Sequence, residues 1–417
     1  MKRRILSFAL ALAAALCFAL PAAAGWEPPA GAVNAEAVYL YNLDTDTVVY
    51  EKNAHEVRAA ASLTKMMTAL LLAESGADLA QSYTIPESLA AEFDRIQAEN
   101  GSDADLKIGE TVTLESLLYA CLLPSGNDAA SAIACYLGGG DLQAFFDRMN
   151  QRAAELGCEN TNFVCAHGLY GLEYGNRTTA YDMFLIARAF RENETLMEVA
   201  CQTGYWMPLT NLHTVPESAD APAGAAYYIT TTNVMQRPDQ ELYRSYIRGI
   251  KTGFTNEAGR CFASSAESGG MPWLLVVLGA PVELAPDGFN YAFHPSANLY
   301  DWALANFWPV QLPNTETPVV NVPVAWCAGA ETVGLYAADT LTALQTSVSR
   351  VEVVPEGLPD RLEAPVKAGQ TVGAAAVYVD GERVGAVELV AGSDCGRSLW
   401  LYYQERLGLF FVPALLG

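Results

Sequence analysis

Three short groups of residues in this chain could together perform nucleophilic catalysis. They are Ser62–Lys65 (SLTK), Ser125–Asn127 (SGN) and Lys251–Gly253 (KTG). A serine hydroxyl is a weak nucleophile until a base takes its proton, and a lysine amine can be that base only when it is uncharged. Ser62 and Lys65 are three residues apart, so they share one face of a helix. The apolar run that follows predicts a buried helix, where burial lowers the pKa of a lysine, and a nearby second cation such as Lys251 would lower it further. We therefore predict Ser62 as the nucleophile and Lys65 as its base.

The other two groups offer contacts to a peptide. The Ser125 hydroxyl can relay a proton to a leaving amine, and Asn127 can donate to and accept from a substrate amide. Lys251 attracts negative charge, Thr252 can bind a carboxylate, and Gly253 lets an extended substrate lie against a strand edge. Alone, each group reads as an ordinary turn or strand. Their order and spacing, 63 residues between the two serines and 126 more to the lysine, favour one shared site.

The composition limits the kinds of partner and cofactor. The 417-residue chain has a net charge of −23, which argues against nucleic acid as a partner. Its nine cysteines are scattered and none forms a Cys-x-x-Cys pair, so we expect no metal and no cofactor. Cys121, Cys135 and Cys261 lie in apolar contexts and are predicted to be buried. The disulfide state stays open, and Cys158 with Cys165 is the first pair to test.

Both ends of the chain carry signals of location. Residues 2–4 are basic, residues 5–20 are apolar, and three alanines precede Gly25, which predicts a signal peptide over 1–24 and an exported cell-envelope protein. Residues 398–417 are rich in leucine and aromatic residues, but their unbroken apolar part is too short to span a bilayer. This tail either touches a membrane surface peripherally or packs on the preceding domain.

Hydrophobic periodicity locates the elements that position the three groups. It predicts a hairpin over 37–50, helices over 62–74, 114–123, 128–137, 141–156, 180–190 and 299–307, and strands over 248–254, 260–266 and 273–279. Residues 84–113 are predicted as loops and short strands, and 310–396 as a separate all-β region. The predicted domains are a signal peptide (1–24), a catalytic domain (25–308), a β-rich domain (309–396) and the tail (397–417).

The chain resembles the low-molecular-mass penicillin-binding proteins, specifically the D-alanyl-D-alanine carboxypeptidases, over about residues 33–396. The segments that carry the resemblance are Ser62–Thr68 (SLTKMMT), Leu123–Ala129 (LPSGNDA), His167–Leu169 (HGL), Gly249–Thr255 (GIKTGFT) and Ala364–Gly373 (APVKAGQTVG). The resemblance implies an α/β (α+β) transpeptidase/β-lactamase-like domain with an antiparallel sheet and a helical subdomain, followed by a small all-β domain. Ala60, Cys165 and Arg248 depart from the family's usual proline, asparagine and acidic residue.

The resemblance also implies a reaction and its residues. A serine-type carboxypeptidase of this family removes the terminal D-alanine from peptidoglycan stem pentapeptides and is acylated by β-lactam antibiotics. By this analogy Ser62 forms the acyl-enzyme, Lys65 is its base, and Ser125 passes the proton to the departing D-alanine. The implied substrate-binding residues are Asn127, Lys251, Thr252, Gly253 and Phe254. The N–H groups of Ser62 and Phe254 would form the oxyanion hole.

Two other classes share these groups. A class A β-lactamase needs a glutamate that activates the deacylating water. The segment between Asn127 and Lys251 has no convincing Glu-x-x-x-Asn, because Glu173 precedes Asn176 by only three residues. A wall-binding or penicillin-sensing protein could keep the scaffold without catalysis, which the intact motifs disfavour. His167 is expected to have a structural, turn-forming role.

Overall fold

The computed structural model describes residues 27–170 and 175–406, in two compact units that divide between Ala305 and Asn306. The predicted signal peptide and residues 407–417 of the tail lie outside the described residues. Within the described ranges, every helix is too short or too polar to cross a bilayer.

The first unit combines an antiparallel sheet with helices. Its strands are β1 (Ala37–Asn42), β2 (Thr47–Lys52), β3 (Arg58–Ala59), β4 (Ser82–Thr84), β5 (Thr111–Thr113), β6 (Arg177–Thr178), β7 (Gly204–Pro208), β8 (Ala225–Thr230), β9 (Ile247–Thr255), β10 (Gly259–Ser268) and β11 (Met271–Ala280). Its helices are α1 (Lys65–Glu74), α2 (Ala90–Ala98), α3 (Leu114–Leu122), α4 (Asn127–Leu137), α5 (Leu142–Glu155), α6 (Ala180–Arg191), α7 (Glu194–Ala200) and α8 (Phe293–Asn306), which ends at the division. A 3₁₀ turn, Ala61–Thr64, leads into α1.

The main sheet has the strand order β2-β1-β11-β10-β9, and each neighbouring pair is antiparallel. Neighbouring residues of a strand point to opposite faces of the sheet. On β10, Ser264 hydrogen-bonds Tyr300 of α8, whereas Ser265 accepts from Arg191 of α6. The two helices therefore cover opposite faces, which explains why β10 and β11 are buried along most of their length. β9 is left at one edge.

Most of the predicted elements of this unit are confirmed, including the hairpin, the buried helix after Ser62 and the three strands of the sheet. The prediction of loops and short strands over 84–113 is wrong in part, because α2 lies there. Leu89, Phe93 and Ile96 do recur at helical spacing, but within α2 itself only Ile96 is buried. Helix α8 begins six residues before the predicted start. Pro295 does not prevent this, because it lies in the first turn of the helix, where proline is tolerated.

The second unit is almost all β-structure, as expected for 310–396. Its strands are β12 (Trp308–Leu312), β13 (Val320–Ala325), β14 (Thr332–Ala337), β15 (Leu341–Gln345), β16 (Val351–Glu356), β17 (Leu362–Glu363), β18 (Thr371–Val379) and β19 (Glu382–Ala391). Six of them form a sheet in the order β16-β18-β19-β14-β13-β17, in which the β13–β17 pair is parallel. Alternating valines and leucines on these strands build a separate core.

The described part of the tail forms a short helix, α9 (Leu399–Arg406). Glu405 anchors it, because its carboxylate accepts the indole N–H of Trp326 at 2.9 Å and pairs with Arg361 at 2.9 Å. Leu399 and Trp400 are 64% and 65% exposed. One face of the helix is thus held to the second unit, while apolar side chains remain on the outside.

The suggested pairing of Cys158 with Cys165 is wrong. Both are free and buried: the Cys158 thiol faces the carbonyl of Asp182, and the Cys165 sulfur accepts the N–H of Gly168. The disulfide in the described residues instead joins two cysteines of the second unit, Cys327 and Cys395, whose Cα atoms are 5.6 Å apart. It ties the end of β13 to the chain that follows β19. Cys121, Cys135 and Cys261 are buried, as predicted.

Candidate active site

The edge strand β9 lies directly against the 3₁₀ turn that carries Ser62. A Cβ atom on Gly253 would stand 3.2 Å from the backbone nitrogen of Ser62 and 3.3 Å from that of Leu63. Real Cβ contacts are rarely so short, so a larger residue would require the turn to move by a few tenths of an ångström, whereas glycine needs no such shift. The KTG and SLTK groups are therefore neighbours in space, although they lie far apart in the sequence.

The amine of Lys65 lies at the centre of the site. Its Nζ atom is 2.6 Å from Oδ1 of Asn127, 3.1 Å from the carbonyl oxygen of His167 and 2.9 Å from Oγ of Ser62. The two carbonyl oxygens can only accept, so they take two of the amine hydrogens. The remaining tetrahedral position of the nitrogen faces Ser62. In an uncharged amine that position is a lone pair, which can receive the serine proton.

Burial lowers the pKa of both lysines of the site, Lys65 and Lys251. Lys65 is fully buried, and desolvation lowers its pKa to about 8. The carbonyl oxygens of Asn127 and His167 are neutral, so neither supplies the negative charge that would keep the amine protonated. Burial also lowers the pKa of Lys251 well below its usual value, and the charge of Lys65 lowers it further. The Lys251 amine donates to the carbonyl oxygen of Thr252 at 3.0 Å.

The SGN group forms a tight connection between α3 and α4. Ser125 has a φ of +69°, in the left-handed region that non-glycine residues rarely adopt. Ser102 braces this turn twice, because its hydroxyl donates to the carbonyl of Ser125 at 2.7 Å and its own carbonyl accepts the N–H of Asn127 at 2.9 Å. Ser125 and Asn127 both line the cleft from this turn.

Asp128 is a site-supporting residue that the sequence analysis missed. Its buried carboxylate accepts backbone N–H groups from Ala104 at 2.9 Å, Leu106 at 3.0 Å and Ala129 at 2.8 Å. It therefore ties the 102–106 segment to the start of α4. Burial raises its pKa to about 6, against the lowering effect of these donors. Its position directly after the SGN group was the available signal, but an aspartate at the start of a helix is also typical of an ordinary helix cap.

One cleft of about 490 Å³ brings the predicted residues together. Six of the eight line it: Ser62, Ser125, Asn127, Thr252, Gly253 and Phe254. The other two are the buried lysines, of which Lys65 reaches the cleft through Ser62 and Asn127. The cleft also includes Thr232, whose hydroxyl is 2.5 Å from that of Thr252. No sequence signal marked Thr232.

Three residues outside this cleft could hold a cation. Ligand atoms of Asp105, His213 and Glu217 lie within 4.8 Å of one another. The imidazole of His213 already contacts two carboxylates, Glu110 at 2.7 Å and Asp105 at 3.0 Å. These contacts join the loop around His213 to the 105–110 segment.

Comparisons with known proteins agree on one family. Residues 23–282 match the sequence model of the D-alanyl-D-alanine carboxypeptidases, and residues 315–397 match that of the penicillin-binding protein 5 C-terminal domain. The chain is 28% identical to the D-alanyl-D-alanine carboxypeptidase DacF of Bacillus subtilis, over 89% of this chain and 88% of the relative. It is 29% identical to DacC of Escherichia coli, over 85% of this chain and 82% of that relative. The crystal structure of DacD from Francisella tularensis is similar with a TM-score of 0.64, at 27% identity, covering 88% of this chain and 94% of that one.

Replacing Asp128 by asparagine should loosen the site. An amide has one acceptor oxygen, so its NH₂ group would face a backbone N–H that now donates to the carboxylate. We expect the free energy of unfolding to fall by about 1–3 kcal/mol, and acylation by fluorescent penicillin to slow. Thermal melts and labelling rates measure the two effects. The exposed Asp94→Asn on α2 is the control, and equal values for both variants would contradict the bracing role.

Proposed function

Because the chain belongs to the D-alanyl-D-alanine carboxypeptidase family, we propose that Ser62 is the nucleophile with which it removes the terminal D-alanine from peptidoglycan stem pentapeptides. The observation that supports this most strongly is the 2.9 Å contact between Lys65 Nζ and Ser62 Oγ, made by an amine whose other neighbours are carbonyl acceptors. It provides a base for the serine without a histidine.

The reaction has two stages in this proposal. The neutral Lys65 amine takes the proton of Ser62 while the serine oxygen attacks the carbonyl of the penultimate D-alanine. Ser125 then donates its proton to the nitrogen of the departing D-alanine as the peptide bond breaks, and it takes back the proton held by the Lys65 ammonium. In the second stage water attacks the ester and releases the shortened peptide. Penicillin would acylate Ser62 by the same first stage.

The proposed substrate contacts use polar groups of the site that can still form hydrogen bonds with a ligand. Oδ1 of Asn127 accepts from Lys65, so its Nδ2 is left to donate to a substrate carbonyl. Thr252 and Lys251 would hold the terminal carboxylate. An arriving carboxylate favours the charged form of a buried amine, so binding should raise the pKa of Lys251. The backbone N–H groups of Ser62 and Phe254 would form the oxyanion hole.

The arrangement of Asn176 argues against the β-lactamase alternative. Its Oδ1 accepts the N–H groups of Val164 and Cys165, and its Nδ2 donates to Thr64 and to the carbonyl of Cys165. Each end of the amide is occupied by structural bonds, so it has little capacity to position a deacylating water. Glu173 lies outside the described residues.

We further propose that the chain is exported after loss of residues 1–24 and touches the membrane through its tail. The Cys327–Cys395 disulfide supports export, because disulfides persist in oxidising compartments. The exposed Leu399 and Trp400 on α9 support an interfacial contact.

Replacing Ser62 by alanine removes the proposed nucleophile. We expect no labelling by fluorescent penicillin and no D-alanine release from a defined pentapeptide, while the thermal melt stays near that of the unmodified chain. Ser218→Ala, in an exposed loop, should keep both activities. Retained labelling of the Ser62 variant would exclude this residue as the nucleophile.

The rate of acylation should follow the protonation of Lys65. Because its pKa is lowered to about 8, the neutral fraction rises as the pH increases and levels off above that value. Below it, the rate should fall about tenfold per pH unit. Lys65→Ala should remove this dependence and slow acylation by about 10²–10⁴-fold. The exposed Lys107→Ala should change neither, and a flat profile in the unmodified chain would contradict the assignment.

Vesicle binding tests the tail. The mature chain should float with phosphatidylcholine vesicles, and the double change Leu399→Ser and Trp400→Ser should reduce the bound fraction, because it removes exposed apolar area. Val348→Ser, an exposed apolar residue of the same unit, is the matched control. Undiminished vesicle binding by the double variant would contradict the proposed membrane contact.

A further inference from the structure

One wall of the catalytic cleft carries a positive charge that the proposed reaction does not use. Arg260, the second residue of β10, lines the cleft and pairs in the sheet with Phe254. Its guanidinium carbon lies 4.5 Å from the centre of the Phe254 ring, within the range of a cation–π contact. Partial burial lowers its pKa, although an arginine stays charged.

The backbone holds this guanidinium in one orientation. Its Nε donates to the carbonyl of Val282 at 2.9 Å and also approaches that of Glu283 at 3.3 Å. Among the described residues, its two terminal nitrogens have no hydrogen-bond partner. Together with the Phe254 contact, these bonds fix the stem of the side chain and leave a planar pair of donors, which matches the geometry of a carboxylate.

A second donor lies in the same cleft. Asn290 lines it, and Oδ1 of this residue accepts the N–H of Ala292 at 2.8 Å. That bond leaves its Nδ2 as the donor end of the amide. Arg260 and Asn290 therefore both offer hydrogen-bond donors to a ligand in the cleft.

The spacing along β9 indicates which part of a peptide would meet Arg260. Thr252, which is proposed to hold the terminal carboxylate, precedes Phe254 by two residues, or about 7 Å of extended strand. A substrate extended along β9 covers a similar distance from its terminal carboxylate to the residue that precedes D-Ala-D-Ala. The side of the cleft at Phe254 and Arg260 therefore faces that upstream part of the stem.

We propose that Arg260, assisted by Asn290, binds a carboxylate carried by the stem peptide upstream of D-Ala-D-Ala. The inference rests on the proposed function, since it assigns the substrate class of the same site. Two groups could supply this carboxylate: a second carboxyl on the diamino acid that precedes D-Ala-D-Ala, or the free α-carboxyl of a γ-linked D-glutamate before it.

Four N-acylated peptides ending in D-Ala-D-Ala separate these sources. They combine diaminopimelate or lysine at the preceding residue with γ-linked D-glutamate or its α-amide before that. For each peptide, kcat/KM for D-alanine release is divided by the kcat/KM of the reference peptide, which carries lysine and the α-amide and therefore neither of the two carboxylates. We expect a carboxylate-bearing peptide to be preferred, and Arg260→Gln to reduce that ratio about 10- to 100-fold, as expected for a lost charge-assisted contact. The carboxylate that Arg260 binds is the one whose preference is lost in Arg260→Gln: that of diaminopimelate or that of D-glutamate.

Two variants control for charge and folding. Arg248→Gln, on β9 and outside the cleft lining, should keep the ratio, and Arg260→Lys should retain part of it because it keeps the charge. A ratio unchanged in Arg260→Gln would overturn the proposal. An equal loss for all four peptides and for penicillin acylation would also overturn it, because Arg260 would then act on the terminal carboxylate or on the fold.

A competition assay distinguishes failure of this proposal from failure of the proposed function. If the unmodified chain released no D-alanine from any peptide, the proposed function would fail. The same four peptides would then be compared by how well they slow labelling of Ser62 by fluorescent penicillin. A carboxylate preference lost in Arg260→Gln supports the binding site, and equal competition by all four overturns it.

Discussion

The site depends on the Lys65 amine being kept out of water and, among the described residues, out of contact with any carboxylate. Lys65 is fully buried, and the groups around its nitrogen are a hydroxyl and two carbonyl oxygens. Desolvation among such neutral partners favours the uncharged form, which is the form a base must have. A carboxylate at the position of Asn127 would stabilise the ammonium and remove the lone pair. The chemistry proposed for Ser62 therefore depends on neutral neighbours as much as on the lysine itself.

Three distant parts of the chain must meet around this amine, and each is held in place by its own contacts. Gly253 lets β9 approach the turn of Ser62, and Asp128 holds the 102–106 segment against α4. His167 contributes through its carbonyl, while its ring pairs with Glu92 at 2.9 Å. The sheet and the helices thus act mainly by fixing these segments relative to one another.

The three motifs and the secondary structure around them could be predicted, because burial and periodicity are local properties of the sequence. The supporting contacts could not, because they depend on which distant segments meet. Ser102 and Thr232 lie in stretches with no pattern of their own, and the proximity of cysteines in the sequence suggested the wrong disulfide pair. Helix α2 was missed because most of its surface is exposed. Arg260 had no motif to mark it and became visible only as part of the cleft wall.

The charge of Lys65 can be measured directly. In the protein labelled with ¹³C at the lysine ε-carbons, NMR titration follows each amine separately, and Lys65→Ala identifies the resonance. We predict a midpoint for Lys65 of about 8 in the free protein. A midpoint near the ordinary lysine value of about 10.4 would contradict the proposed role of Lys65 as a base, because the amine would then be protonated when Ser62 is proposed to lose its proton.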